Sequence, residues 1–407
     1  MKQHSRSIAN ALGRDTVHPF PARMAASVAM KAISRTRNRL RILDPMMGSG
    51  TVVALARANG HLAYGVDIDP LAVLIADVWT SAVDKQSVRL KAEGVLKAAR
   101  KHALNLALRD AYPAGADKET KKFVRYWFDG RARRQLTALS ASIRSCRDAS
   151  ARKVLWCAFS RLIISKQAGA SLALDLAHSR PHKHFSRAPR EPFDWFTMSV
   201  EAVLANCLDK RDCDRGPSAQ VTLGDARQLR CKSKSIDLVL TSPPYLNAID
   251  YLRCSKFSLV WMRLSTSDIR RIRGLSIGSE RGMKACDIDD RCTKIMKNLR
   301  INSRLKARHK GILRTFIEDM HSVLREIHRV LVDDGKVIFV VGENAVRGVY
   351  IRTAKILRLL GEDVGLSFVG VSSRTLPPNR RYLPPPNKDK GTINLRMTKE
   401  VVVTFRK

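Results

Sequence analysis

The run Arg41-Ile-Leu-Asp44-Pro45-Met-Met-Gly48-Ser-Gly50-Thr51, followed by a stretch from Val52 to Ala58 and then by Leu62-Ala-Tyr-Gly-Val-Asp67, decides the fold. Arg41 to Asp44 and Leu62 to Asp67 are short, largely apolar and sharply bounded, as buried strands are, while the residues between them carry helical apolar spacing. Strand, helix and strand in that order make a βαβ unit, whose parallel strands need the helix as their crossover. The glycines between first strand and helix let the backbone turn tightly. They also bring the free N–H groups of the helix start to face a ligand at the strand's C-terminal edge.

That turn lacks Gly-Lys-Ser/Thr, so a nucleotide P-loop is disfavoured. Asp67 falls 17 residues after Gly50 at the end of the next strand, near the ~20-residue offset at which a carboxylate meets a ribose hydroxyl pair. An adenosine-type ligand follows. The competing reading makes Asp67 or Asp69 the cap of a helix that starts at Pro70; Asp67, at the strand end, is the better ribose candidate. A third carboxylate, Asp225 in Leu223-Gly-Asp-Ala-Arg227, follows a strand-like Val221-Thr-Leu223 and can accept a hydrogen bond from an exocyclic amine or simply close a turn.

Working outward, strand and helix signals recur from Val221 to about Met262 and from Ile312 to Lys407. The latter holds an amphipathic helix to about Leu331, an Asp333-Asp-Gly turn, a strand Lys336 to Val341, and apolar runs Gly365 to Val371 and Glu400 to Phe405 that would close a sheet. Pro377, Pro378 and Pro384 to Pro386 mark a stiff loop between those runs. Two stretches interrupt the pattern. Residues 81–215 read as a helical insertion, irregular from His178 to Pro192, and residues 263–310 carry 14 Lys and Arg against 5 Asp and Glu with little apolar periodicity. The expected organisation is therefore a first α/β segment 1–80, the helical insertion 81–215, an α/β continuation 216–262, a basic insertion 263–310 and a closing α/β segment 311–407.

Length and composition allow this. The 407 residues are 44% hydrophobic, and 74 Lys and Arg against 37 Asp and Glu leave a net charge of +37, which calls for a polyanionic partner. No run approaches the ~18 uncharged apolar residues of a membrane span and no signal-peptide block opens the chain, so a cytoplasmic protein is expected. Eight cysteines without a C-x2-C pair support neither disulfides nor zinc. His178, His182 and His184 have no Cys or carboxylate partner at ligand spacing, so no metal is expected.

The strand Ile236-Asp-Leu-Val-Leu240 runs into Thr241-Ser242-Pro243-Pro244-Tyr245. Two prolines rigidify that strand end and remove two N–H donors, leaving carbonyls and the Ser242 hydroxyl as fixed acceptors. A planar amine finds two acceptors there, and Tyr245 offers a face for a base held outside its duplex. The plainer reading is a Pro-capped strand end with a core tyrosine.

Asp-Pro-x-x-Gly-Ser-Gly-Thr followed by Thr-Ser-Pro-Pro-Tyr resembles the S-adenosylmethionine-dependent DNA amino-methyltransferases, the N4-cytosine and N6-adenine enzymes. His18-Pro-Phe-Pro-Ala-Arg-Met24 is similar to that family's N-terminal cofactor-side motif. The resemblance covers residues 18–80, 221–262 and 312–406. It departs at Met46-Met47, where phenylalanine is usual, and at the long insertion between Asp67 and Asp225.

The resemblance implies a Rossmann-like class I methyltransferase sheet. It places Phe20, Pro21, Asp44, Pro45, Gly48, Gly50 and Thr51 at the methionine part of S-adenosylmethionine, Asp67 at its ribose and Asp225 at its adenine amine. Ser242, Pro243, Pro244 and Tyr245 fall at the catalytic motif, and serine in its first position favours N4 of cytosine over N6 of adenine. DNA with a flipped base is the implied partner, in a prokaryotic cytoplasm and beside a companion restriction endonuclease; subunit number is not fixed. C5-cytosine chemistry needs a Pro-Cys dipeptide, which the chain lacks. An RNA base N-methyltransferase, such as the tRNA guanine-N2 enzymes that usually carry Asp-Pro-Pro-Tyr, and a catalytically idle nucleic-acid-binding protein are the alternatives. Target recognition is assigned first to 263–310, then to 121–190 with Lys121, Lys122, Arg131 to Arg134 and Arg180 to Arg190. Asp250, Arg253 and Lys256 stand where they can order the catalytic loop or touch phosphate.

Overall fold

The computed structural model describes residues 8–20, 24–33, 38–176, 181–210, 219–244, 251–278, 290–301, 305–346, 349–375 and 399–407. Its centre is a seven-stranded sheet. Numbered in chain order, its strands are β1 (Arg41–Asp44), β2 (Leu62–Asp67), β3 (Ala219–Leu223), β4 (Ile236–Thr241), β5 (Leu331–Gly342), β6 (Ser367–Thr375) and β7 (Lys399–Arg406). Across the sheet they lie in the order β3-β2-β1-β4-β5-β7-β6. The first five are parallel, and β7 runs antiparallel to both β5 and β6. From β1 the chain works outward to β3, then returns to the other side of β1 as β4. The order reverses between β1 and β4, which is where open α/β sheets leave a crevice at their C-terminal rim.

The strands alternate faces, so each side of the sheet is covered. Leu43, Val239, Val337, Phe339 and Val403 point toward the helices Ala307–Val330 and Thr353–Asp363. Ile42, Leu238, Leu240, Ile338 and Val340 point toward the helices Ala26–Ile33 and Thr51–Ala58. At the N-terminal end, Arg41 clamps β1 to β4 through a bidentate pair with Asp237. That guanidinium holds the Asp237 carboxyl below its usual range.

A second body of helices stands beside the sheet: Lys85–Leu104, Lys118–Trp127, Gly130–Arg144, Ala149–Ile163 and Pro192–Leu204. Four of them start on an aspartate, Asp84, Asp117, Asp129 or Asp148, whose side chain accepts a backbone N–H of the first turn. Their apolar faces share one core with the helix Pro70–Thr80 and with Leu252, Phe257 and Trp261 downstream of β4.

Three local expectations change. The Asp333-Asp-Gly turn is a kink within β5: Asp334 takes φ 64, and the ladder to β4 skips from Ile236–Leu331 to Leu238–Lys336. The region around His182 is not wholly irregular, since Ala173–Leu174 pairs antiparallel with His182–Lys183. The segment 263–310 hides apolar spacing beneath its charge. A capping box starts the helix Thr266–Leu275, and Cys292, Ile295 and Met296 of the helix Asp290–Asn298 are buried against Ala307–Val330. The proline loop lies outside the described residues.

Candidate active site

The glycine turn is held from three sides. Gly50 N–H donates to the Met47 carbonyl at 2.9 Å, Met47 N–H to the Val66 carbonyl of β2 at 3.0 Å, and Gly48 N–H to Asp67 Oδ2 at 2.8 Å. Gly48 and Gly50 both have positive φ, 51° and 86°, but for different ends. A Cβ on Gly50 would stand 2.7 Å from Ala76 Cβ and 3.2 Å from its Cα, so this glycine lets the helix Thr51–Ala58 pack on Pro70–Thr80. Among the described residues a Cβ on Gly48 would meet only Phe20, at 3.8 Å, so this one leaves room beside the Phe20 ring. Gly50→Ala should therefore cost roughly 2–4 kcal/mol of stability from overpacking and backbone strain. Urea unfolding reads that loss, and an unchanged midpoint would show that the contact with Ala76 relaxes freely.

Two of the carboxylates expected near a ligand take different roles. Asp67 ends β2 and accepts from the Gly48 and Asp69 N–H groups, so it braces the turn. Asp69 is the helix cap: its Oδ1 accepts the Leu71 N–H at 2.8 Å and its Oδ2 the Ser255 hydroxyl at 2.6 Å. Burial pushes the Asp67 carboxyl up, and pushes Asp69 up to about 7. Asp225 follows β3, as expected, but both its oxygens accept from Arg227, which also reaches Asp319 and the Leu275 carbonyl. An adenine amine at Asp225 would have to share that carboxylate with Arg227.

The strand pairing brings the two motifs together. β1 and β4 are neighbours, and at their C-terminal ends the Thr241 hydroxyl donates to Asp44 Oδ1 at 2.7 Å, with both residues buried. Ser242, Pro243 and Pro244 continue directly from that hydrogen bond, Pro243 buried and its neighbours half-buried. Asp44 Oδ1 also accepts the Met46 N–H at 3.2 Å. Burial raises the Asp44 carboxyl to about 7, against the lowering effect of Thr241 and Met46. Pro21, Tyr245 and Asp250 lie outside the described residues, as do His178 to Arg180. Pro45 and Thr51 stand at the turn itself. Met47 is buried over Gly65 of β2.

Beside Gly48, Ser49 Oγ is buried with no hydrogen-bond partner. A buried hydroxyl left unsatisfied costs free energy, so the turn suits a polar ligand in front of it. That, with the open cradle at Gly48, fits the cofactor expected there.

Sequence reading missed the supports behind the rim. Ser255 ties the helix Tyr251–Leu259 to Asp69, and Ser258 of the same helix receives a hydrogen bond from Ser160 at 2.9 Å. Ser160 also lies 2.9 Å from His18 Nε2, so the N-terminal motif, the helical body and the helix after the Pro-Pro loop meet in one buried polar chain. Serines inside amphipathic helices carry no distinctive local signal. Only their long-range partners reveal them.

The strand order, the glycine turn and the Pro-Pro strand end on neighbouring strands make a Rossmann-like α/β architecture with both motifs at its switch point. No family model matches the chain. Among curated proteins it is similar to the type II methyltransferase M.MvaI of Kocuria varians, 21% identical over 96% of this chain and 90% of that protein. It is also similar to the type II methyltransferase M.MjaII of Methanocaldococcus jannaschii, 21% identical over 80% of this chain and 71% of that protein. The resemblance read from the motifs thus has curated relatives along most of the chain. Among solved structures, the rRNA methyltransferase aviRa of Streptomyces viridochromogenes aligns over 99% of this chain and 95% of its own, at 11% identity and a TM-score of 0.32. That score adds nothing to the fold read from the strand order.

Proposed function

We propose that this chain is an S-adenosylmethionine-dependent DNA methyltransferase acting on the exocyclic amine of a base held out of its duplex, N4 of cytosine in preference to N6 of adenine. The observation that carries the reading is the Thr241–Asp44 hydrogen bond, which joins the strand ends bearing the glycine turn and the Ser-Pro-Pro loop at the switch point of the sheet. Asp44, Pro45, Gly48, Gly50 and Thr51, with Phe20 and Pro21, would border the methionine part of the cofactor. Asp67 would take the ribose and Asp225, beside Arg227, the adenine amine.

An aryl amine is a poor nucleophile because its lone pair is shared with the ring. Ser242 Oγ and the Pro243 carbonyl, accepting its two N–H bonds, would turn the lone pair out of the ring plane, with Pro244 stiffening the loop and Tyr245 stacking on the base. The bound cofactor supplies a methyl group on a sulfonium, so positioning and electrostatics carry the rate enhancement. Labelled methyl transfer to DNA, tRNA and rRNA, followed by digestion to nucleosides and mass spectrometry, tests the reading. N4-methylcytosine in DNA is expected, N6-methyladenine would move the acceptor, and label in RNA alone or nowhere would overturn it.

Asp44 gives this reading a pH signature. Its carboxyl is raised to about 7 in the fold and returns to an ordinary value, near 4, in an unfolded chain. The fold therefore binds the extra proton, and the unliganded protein loses stability as pH rises from about 4 through 7. A cationic ligand beside Asp44 favours the carboxylate, so cofactor affinity should rise by roughly tenfold between pH 6 and 8. Asp44→Asn should flatten that profile in a calorimetric titration. A wild-type affinity independent of pH would take Asp44 away from the cationic end.

A further inference from the structure

We propose that the surface running from Arg273 and Arg270 past Lys256 and Phe123 to Tyr126 and Lys183 docks the phosphate backbone of duplex DNA beside the target base, with Tyr126 as a contact to the sugar-phosphate chain. This rests on the DNA reading above and assigns it a place on the molecule.

Position comes first. Lys256 belongs to the helix Tyr251–Leu259, seven residues on from the Pro-Pro loop, and its neighbour Ser255 is bonded to Asp69 behind the glycine turn. The surface therefore adjoins the candidate site. Its floor is aromatic: Phe123 and Trp127, one helical turn apart on Lys118–Trp127, both pack edge-on against Phe257 at 5.2 and 5.0 Å between ring centres, and Trp127 meets Tyr126 at 4.9 Å. Lys256 Nζ sits 4.3 Å above the Phe123 ring and Lys183 Nζ 5.0 Å above that of Tyr126. Tyr126 itself is 54% exposed. Its exposed ring and hydroxyl, flanked by a cation, suit the sugar and phosphate of a DNA backbone.

Charge comes second. Glu119 pairs with Arg270, yet Lys256 still has Arg270 and Arg273 near it. Its ammonium is pushed below the ordinary lysine value by burial first, with Glu119 opposing the shift and the two guanidiniums adding to it. The helices Lys118–Trp127 and Thr266–Leu275 together carry seven Lys and Arg against Glu119 and Asp268, an excess of positive charge that complements a phosphate backbone. Thr120, whose Oγ1 accepts the Thr266 N–H at 3.0 Å, fixes the helix Lys118–Trp127 against Thr266–Leu275, so the cations are held in register rather than scattered. Ser267, Arg270, Arg271, Gly274 and Leu275 line a shallow concavity along that second helix.

Filter-binding titrations of duplex DNA at several salt concentrations test the surface on the full chain. Lys256→Gln with Arg270→Gln should weaken binding about tenfold or more near 0.15 M salt and lower the slope of log K against log salt by about two. The control pair Lys91→Gln with Lys97→Gln, exposed on the helix Lys85–Leu104, removes equal charge and should alter neither by a comparable amount. Tyr126→Ala should weaken binding about tenfold with the salt slope kept. If the wild type methylates DNA while the Lys256/Arg270 pair behaves like the control, the surface is wrong and the function stands. If the wild type binds cofactor but neither holds nor methylates DNA, the function fails first. Weakened RNA binding with DNA binding untouched would overturn the surface as a DNA dock.

Discussion

Ser242→Ala is expected to lower methyl transfer about a hundredfold while leaving the cofactor dissociation constant within about twofold. Its proposed partner is the amine of the base, so the loss falls on alignment of the nucleophile, where small displacements cost about that factor. Thr241, not Ser242, makes the contact with Asp44, and a serine-to-alanine change leaves that bond and the cofactor side intact. Single-turnover transfer and a separate cofactor titration read the two quantities. Equal losses in both would make Ser242 a structural support, and no loss would remove it from the chemistry.

Asp67→Ala is expected to do the opposite, raising the cofactor dissociation constant about a hundredfold. Beyond the proposed ribose contact, the carboxylate holds two backbone N–H groups, those of Gly48 and Asp69. Deleting it leaves both half-buried donors without that partner, at roughly 1–3 kcal/mol each. Asp67→Asn separates the effects: its amide oxygen can keep one of the two backbone bonds, so at most about half of the lost stability should return while ribose binding stays impaired. Thermal unfolding beside the titration distinguishes them. An unchanged constant in Asp67→Ala would take that residue out of the ribose site.

Much of this was legible along the chain because it is local. β1, the glycine turn, β2 and the Asp69 cap lie within 30 residues of one another, and their signals are short-range: apolar bursts, glycines where φ turns positive, a proline after an aspartate. The choice between Asp67 and Asp69 as the cap was open only because both precede Pro70; the Leu71 N–H decided it by binding Asp69. What joins the motifs was not legible. Asp44 and Thr241 are 197 residues apart, Asp69 and Ser255 are 186, and no local pattern encodes which strand returns to β1's side. At Asp225 the sequence reading left out the arginine two residues on, which donates to both carboxylate oxygens. In 263–310 the charge density hid Cys292, Ile295 and Met296, which are spaced to bury one side of a helix.

The buried link from His18 through Ser160 to Ser258 bears on how such a molecule can be shortened or recombined. Residues 81–215 look like an ornament that could be cut away to leave a minimal sheet, yet Phe257 and Trp261 rest on that ornament as on a foundation. A trimmed chain would keep every strand of the seven-stranded sheet and lose the footing of the helix that follows the Ser-Pro-Pro loop. Grafting a foreign recognition module in its place would have to restore a hydroxyl at the height of Ser160 and an aromatic floor beneath Phe257.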